Sequence, residues 1–546
     1  MPETRRSLLG SGLIVAAALL TRLPTLFEPL AMDQSLFAVI AEGLLRGDRL
    51  YVDLWDHKPP GIYALYAAII RLLGPGAWAF ALASIVAQCA TALLLRAIVA
   101  RIAPGRSAVL AGVSYALLAN PILLGGFYAT AQAEVFLETL VACSILLAAK
   151  PSARCSAAAG LALGAAVILK PTALLFAPVV VLAPRFAYES ARAASHRESE
   201  RGLAPPQSSA RGLRWLHFLG GFLVAPLAAL LFIATTGVVP DAAAALIGWN
   251  IASLRAGGAG SFLDGFSWSP LYLLSILFDG ILHLGPFLLF AAAGLALARA
   301  RVFWAVWLVA SVASCLLQAK LYRYHYQPLL APLMACSAFG VEALAIRLSG
   351  ARARNAPGER ARDHNASRAS TGVASVPPRI PRGAIAATAA VVFLSLIPFV
   401  NALASYWSEH ADAFLLSEGT PPRGRRLDSY VWSSTGMRFG DAARVAAMLR
   451  DNTEPGDRIY VLGFDPQLYR LTGRAPAGRY LAHDHVRFPG AEGRLVDDFG
   501  RHAPRWVIVN TDQVGPRDFP LVSDWMASHT TNRGSLGRFA LFERTR

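Results

Sequence analysis

Between its first two long apolar runs the chain carries Asp33, Glu42, Asp48, Asp53, Asp56 and Lys58 among apolar residues. A carboxylate within hydrogen-bond reach of a hydroxyl can act as a general base. A lysine can hold a phosphate-like anion as a point charge, and an arginine can grip one with two parallel hydrogen bonds. Further along, Glu134 opens an apolar run, Lys170 precedes Pro171, and Lys320 and Arg323 lie beside Tyr322, Tyr324, His325 and Tyr326. Each also has a plainer reading. The loop carboxylates can be solvated, Glu134 suits the positive end of a helix dipole, Lys170 can snorkel to the membrane interface, and the aromatic-cation cluster can be an anchor belt.

The elements that must position these residues are membrane spans. Of 546 residues, 55% are hydrophobic and only 16% charged, and the mean hydropathy is +0.44, which marks a chain whose solvent is a bilayer. A hydrocarbon core of about 30 Å asks for about 20 apolar residues per helix. Runs at 8–27, 76–99, 107–125, 131–149, 215–236, 271–297, 302–319, 328–347 and 383–403 meet that need, while 155–169 and 171–184 are shorter and meet at Lys170-Pro171. Arginine and lysine cluster before the first run, in the turns at 101–106, 150–154 and 299–301, and in the stretches 185–214 and 348–382. Retaining these positive residues inside requires 155–169 and 171–184 to be two short spans, which gives about 11 transmembrane helices with a cytoplasmic N-terminus. The first run is expected to be an uncleaved span rather than a signal peptide, because apolar spans continue immediately after it.

Within the first external loop, residues 28–75, Leu36, Phe37, Ile40, Leu44 and Leu45 recur at helical spacing, and Ile62, Leu65, Tyr66, Ile69 and Leu72 do so again after Pro59-Pro60. Both segments are expected to be interfacial helices. After the last span, Ala442, Val445, Ala446 and Leu449 form one helical stripe. Residues 458–463, 506–509 and 539–542 read as strands. The expected organisation is a transmembrane catalytic domain over residues 1–403 and a small extracytoplasmic α/β domain over 404–546, with cytoplasmic loops at 185–214 and 348–382.

Other function classes fit less well. The net charge of +16 sits in short loops between apolar runs and is not interleaved with aromatics on a soluble face, so nucleic acid is not an expected partner. Cys89, Cys143, Cys155, Cys315 and Cys336 have neither disulfide-framework nor zinc-site spacing. No glycine-rich phosphate loop follows a strand. No cofactor or metal is assigned, although a divalent metal is not excluded; His57 beside Asp56 reads as a solvated loop histidine.

Met32-Asp33-Gln34-Ser35, a helical stretch and then Asp53-Leu54-Trp55-Asp56-His57-Lys58-Pro59-Pro60-Gly61 resemble the first external loop of GT-C membrane glycosyltransferases. The likeness is to their bacterial branch similar to protein O-mannosyltransferases, which includes the aminoarabinose transferase of lipid A and lipopolysaccharide galacturonosyltransferases. The resemblance implies a GT-C fold and a polyprenyl-phosphate-linked sugar as donor. It also implies an essential acid at Asp33 and a donor-phosphate contact at Lys58. Less specifically, it places a second acid at Glu134 and donor-phosphate contacts at Lys170, Lys320 and Arg323. The chain departs from the pattern at Gln34, where the family often has a second carboxylate, which puts metal assistance in doubt. The expected acceptor is an envelope glycan, lipid or protein, in a cell-membrane enzyme surrounded by lipids. The alternative is a transporter or flippase for a lipid-linked sugar, which would carry ionisable residues near the bilayer midplane; the strong spans are nearly free of charge.

Overall fold

A computed structural model describes residues 3–30, 32–103, 105–119, 130–199, 214–256, 284–285, 287–298, 300–318, 322–354 and 439–545, with isolated positions between 400 and 407. Nearly all of the span expected at 383–403, about half of that at 271–297, most of the 348–382 loop and Lys320 lie outside these residues. Among the described residues, five helices are long and apolar enough to cross a membrane: Ser7–Phe27, Ala77–Val99, Pro171–Glu189, Trp215–Thr235 and Arg323–Ile346. The chain packs into two compact units.

The first unit comprises Met1–Leu26, Ala81–Ala228 and Trp268–Tyr406, and among its described residues the regular elements are helices. Alanine and glycine dominate many of its contacts, as expected where lipid supplies no hydrophobic drive and helices gain by close approach. A Cβ on Gly160 would strike the carbonyl of Phe218, one on Gly164 that of Phe222, and one on Gly221 that of Ala157. Gly294 and Gly340 meet the backbones of Cys336 and Phe290 in the same way. The helix Glu3–Arg22 ends in a fully buried arginine. Its Nε donates to the carbonyl of Ala119 at 3.0 Å, and Nη1 donates to Ser84 Oγ at 3.1 Å. The cation thereby satisfies an open carbonyl just past the helix Arg106–Leu118.

The helix Ala153–Leu169 stops at Lys170, whose extended backbone leads into a short 3₁₀ turn, Pro171–Phe176. Proline cannot continue the preceding ladder and biases the residue before it away from helix, so the Lys170-Pro171 break falls where the sequence places it. The following helix, Ala177–Ser199, runs through Pro184 and well into the stretch expected to be a loop. The helix Ala133–Ala148 lies where the run at 131–149 places it and buries two acids, Glu134 in its first turn and Glu138 one turn on.

The second unit comprises Phe27–Phe80, Ala229–Ser267 and Trp407–Arg546. Its first segment contains the helices Met32–Arg46 and Gly61–Leu73, as the apolar spacing requires. Its C-terminal segment has a five-stranded sheet. The strands are β1 (Arg458–Leu462), β2 (Ala475–Pro476), β3 (Trp506–Asn510), β4 (Thr530–Leu536) and β5 (Phe539–Arg544), in the order β2-β1-β3-β5-β4. β1 is parallel to β2 and β3, whereas β3–β5 and β4–β5 are antiparallel. Ala442, Val445, Ala446 and Leu449 of the helix Phe439–Asp451 are all buried.

The loop between the two N-terminal helices of this unit joins the C-terminal segment. The Trp55 amide donates to the Arg479 carbonyl at 2.9 Å, and Trp55 bridges Tyr480 in parallel. Arg470 Nε donates to Glu42 at 2.9 Å. Trp55 packs its ring against Tyr480, His485, Phe488 and Trp249.

Candidate functional site

In the second unit, Asp33 occupies the first turn of Met32–Arg46. It follows Met32, a non-glycine residue at φ 44°. A left-handed conformation at such a residue costs energy and is tolerated where surroundings fix it, often at functional positions. Lys58 Nζ lies 3.5 Å from Asp33 Oδ1, 3.8 Å from Asp56 Oδ2 and 4.8 Å above the Phe37 ring. The Asp33 and Lys58 side chains retain 20% and 24% exposure, whereas Asp56 has none. The Lys58 ammonium thus stands between one fully buried carboxylate and one that faces partly outward.

The buried Asp56 carboxylate is well supplied with donors. Tyr63 OH donates to Oδ2 at 2.5 Å and the His57 amide donates to Oδ1 at 2.7 Å. Burial pushes the Asp56 acid up, but the neighbouring charge of Lys58, with further help from His57, outweighs it and holds the acid well below its ordinary value. His485 is pushed down to about 3, chiefly by burial and against the pull of Asp56. The proline pair after Lys58 fixes the turn: Pro60 caps the helix Gly61–Leu73, and Tyr51 OH donates to the Lys58 carbonyl at 3.0 Å.

His57 is not the solvated loop residue expected from the sequence. Its side chain is 20% exposed and stacks on Trp249 with centroids 5.5 Å apart. Its Nδ1 lies 3.0 Å from Asp56 Oδ1, and His485 Nε2 approaches the same oxygen at 3.5 Å. Asp56, His57 and His485 offer donor atoms all within 4.8 Å of one another, a set capable of holding a metal ion. No sequence signal pointed to His485, because Ala482-His483-Asp484-His485 carries no recognisable ligand spacing.

In the first unit, Glu134 and Lys170 form a close ion pair, and Lys170 also donates to the Gln318 side-chain oxygen. Glu134 is almost completely buried and lies in the first turn of Ala133–Ala148. The residue two before that helix, Ala131, has φ 56°, so both acids singled out in the sequence follow a left-handed non-glycine residue. His325 Nε2 lies 3.9 Å from Glu134 Oε1. It belongs to the short turn Arg323–Tyr326, which also contains Arg323. Deeper along the helix, Tyr115 OH donates to Glu138 at 2.5 Å and contacts Gln88 Oε1 at 2.8 Å, while Gln327 Nε2 approaches Glu138 at 3.4 Å. The i, i+4 spacing of Glu134 and Glu138 on an apolar helix was the available clue to this second acid. Of the sequence-assigned residues, Asp33 is brought to Lys58 and Glu134 to Lys170.

The structure is similar over 97% of both chains to ArnT, the aminoarabinose transferase from Cupriavidus metallidurans, bound to undecaprenyl phosphate, with TM-score 0.55 and 14% identity. The apo form of the same protein gives TM-score 0.51 at 15% identity, again over 97% of each chain. The Archaeoglobus fulgidus oligosaccharyltransferase tethered with an acceptor peptide gives 0.51 at 12% identity, covering 98% of this chain and 74% of its own. By sequence, no known protein family matches the chain, and no curated protein does. The fold is therefore that of the GT-C glycosyltransferases, and the chain is a multi-pass membrane protein.

Proposed function

We propose that the chain transfers a sugar from a polyprenyl-phosphate donor to a cell-envelope acceptor on the outer face of the membrane. The acceptor hydroxyl attacks the anomeric carbon, its proton passes to Asp33, and the bond from that carbon to the phosphate oxygen breaks. The polyprenyl phosphate leaves with the electron pair. One base and one face of attack make the transfer inverting. Lys58 stabilises the charge accumulating on the departing phosphate, and a fixed cation does so more effectively where water is scarce. Lys170, Lys320 and Arg323 are assigned the same kind of contact. Glu134 is assigned as the second functional acid, and its ion pair with Lys170 holds that ammonium.

The observation that carries this reading is the 3.5 Å approach of Lys58 to Asp33, in a chain with the fold of lipid-dependent glycosyltransferases. A base and an anion-stabilising cation are thereby held side by side. The acceptor is proposed to be a lipopolysaccharide component, another envelope glycan or a protein. The residues after the last span are assigned to the extracytoplasmic side, where they form the C-terminal α/β domain.

The test is to reconstitute purified protein into vesicles with radiolabelled polyprenyl-phosphate sugars and envelope acceptor fractions. Label is expected to move from lipid to acceptor with at least one donor. Labelled lipid crossing the bilayer with no covalent transfer would instead identify a flippase.

A further inference from the structure

The end of the first unit opposite Glu134 gathers arginines around two serine hydroxyls. The helix Gln327–Arg354 fixes which end this is. It begins just after His325, whose Nε2 lies 3.9 Å from Glu134 Oε1, and Glu342, about 22 Å along it, accepts from the Ser107 hydroxyl. Ser107 lies in the first turn of Arg106–Leu118. That helix runs beside Glu3–Arg22 in the same direction: a Cβ on Gly10 would strike Val109, one on Gly112 would strike Ile14, and Thr21 donates to the Ala116 carbonyl at 3.1 Å. Arg106 is therefore level with Ser7, and the helix Ala77–Val99 brings its last turn, with Arg96, to the same place.

Arg96 joins two of these helices. Its Nη1 donates to Ser11 Oγ at 2.6 Å, and its Nη2 donates to Ser7 Oγ at 2.9 Å and to the Ser7 carbonyl at 3.1 Å. These acceptors are all neutral, so among the described residues the half-buried guanidinium has no carboxylate partner. Each serine hydroxyl accepts from Arg96 and keeps its own hydrogen for a further acceptor. Arg101, in the turn after Val99, is also half-buried; burial pushes its guanidinium down, and no neighbouring acid raises it. Glu342 is taken up by Ser107 and by the charge of Arg106. The first amides of Arg106–Leu118 have no side-chain cap and favour an anion as well. Beside the serines, Leu8, Leu9 and Leu13 stand exposed on a helix long and apolar enough to cross a membrane.

We propose that Ser7, Ser11, Arg96, Arg101 and Arg106 bind the phosphate of an anionic phospholipid at the membrane interface opposite Glu134. The phosphodiester accepts from the two hydroxyls and from the guanidinium groups, the pairing that basic pockets between spans make with lipid headgroups. The acyl chains run along the exposed leucines. One headgroup thereby ties three helices together. The proposal does not depend on the transfer reaction, because lipid binding is read without donor or acceptor.

The test is native mass spectrometry of the full-length protein in detergent, with phosphatidylglycerol or phosphatidylcholine of matched acyl chains added in turn. Wild type is expected to retain phosphatidylglycerol at least fivefold more than phosphatidylcholine, and Arg96→Gln, shown to be folded by size-exclusion chromatography, is expected to lose that preference. The double variant Ser7→Ala, Ser11→Ala, which changes only two small side chains, should lower the preference at least threefold. Millimolar glycerol phosphate should leave the bound lipid in place. Equal retention of the two lipids by wild type would overturn the proposal, as would an unchanged preference in both variants. Displacement of the lipid by glycerol phosphate would also overturn it, by assigning the site to a soluble phosphate.

Discussion

Lys58 sits between Asp33 and Asp56, but the two carboxylates stand in different solvent environments. A partly exposed ion pair contributes little because water competes with it, whereas a buried carboxylate needs every donor it has. Asp56 is therefore the standing partner of Lys58, and in the proposed reaction Asp33 releases the ammonium to the donor phosphate. Replacing Lys58 with Met is expected to lower transfer by about 10²–10³-fold, the usual consequence of removing a preorganised group that stabilises transition-state charge; initial rates at saturating donor would measure it. Tyr63→Phe leaves one oxygen of the buried Asp56 without its hydroxyl donor and is expected to destabilise the fold by about 1–3 kcal/mol, read as a lower unfolding midpoint in detergent. The candidates Asp33 and Lys58 came from a local pattern, and the structure brings their side chains within 3.5 Å. His57 was misread because Trp249, which covers it, lies far away in the chain, and His485 was missed for the same reason.

At the scale of elements, periodicity located most of what the structure contains. The stripe around Ala442–Leu449 is a buried helix, and the three apolar runs of the C-terminal segment are β1, β3 and β5. β4 escaped because Thr530–Leu536 is largely exposed and polar, and β2 because it has only two residues. Hydropathy also cannot separate a membrane span from its continuation, so the helix that reaches Ser199 was ended too early. Nor does hydropathy reveal which glycines allow helices to touch. Gly164 faces the Phe222 carbonyl with no room for a side chain. Gly164→Val is expected to separate these helices and cut the yield of monodisperse protein severalfold, as measured by size-exclusion chromatography at matched expression. The same change at Gly220, where nothing lies within 4 Å, should have little effect.

At the scale of the molecule, the first loop is built into the C-terminal segment of its own unit. Trp55 bridges Tyr480, Arg470 pairs with Glu42, and His485 reaches Asp56. Removing residues 439–546 would expose Trp55 and Asp56, so the truncated chain is expected to lose transfer to every acceptor and to be cut rapidly within 47–60 by protease. A truncation that altered only acceptor choice would instead show that the loop holds its shape unaided. The central claim, however, concerns Asp33. Its direct test compares wild type with Asp33→Asn, reconstituted at equal protein levels, for transfer from radiolabelled polyprenyl-phosphate sugars to envelope fractions. Loss of a general base should lower the rate by about 10²–10⁴-fold while donor binding, measured by equilibrium retention of the labelled lipid, stays within about threefold. Transfer by Asp33→Asn at close to the wild-type rate would contradict the account.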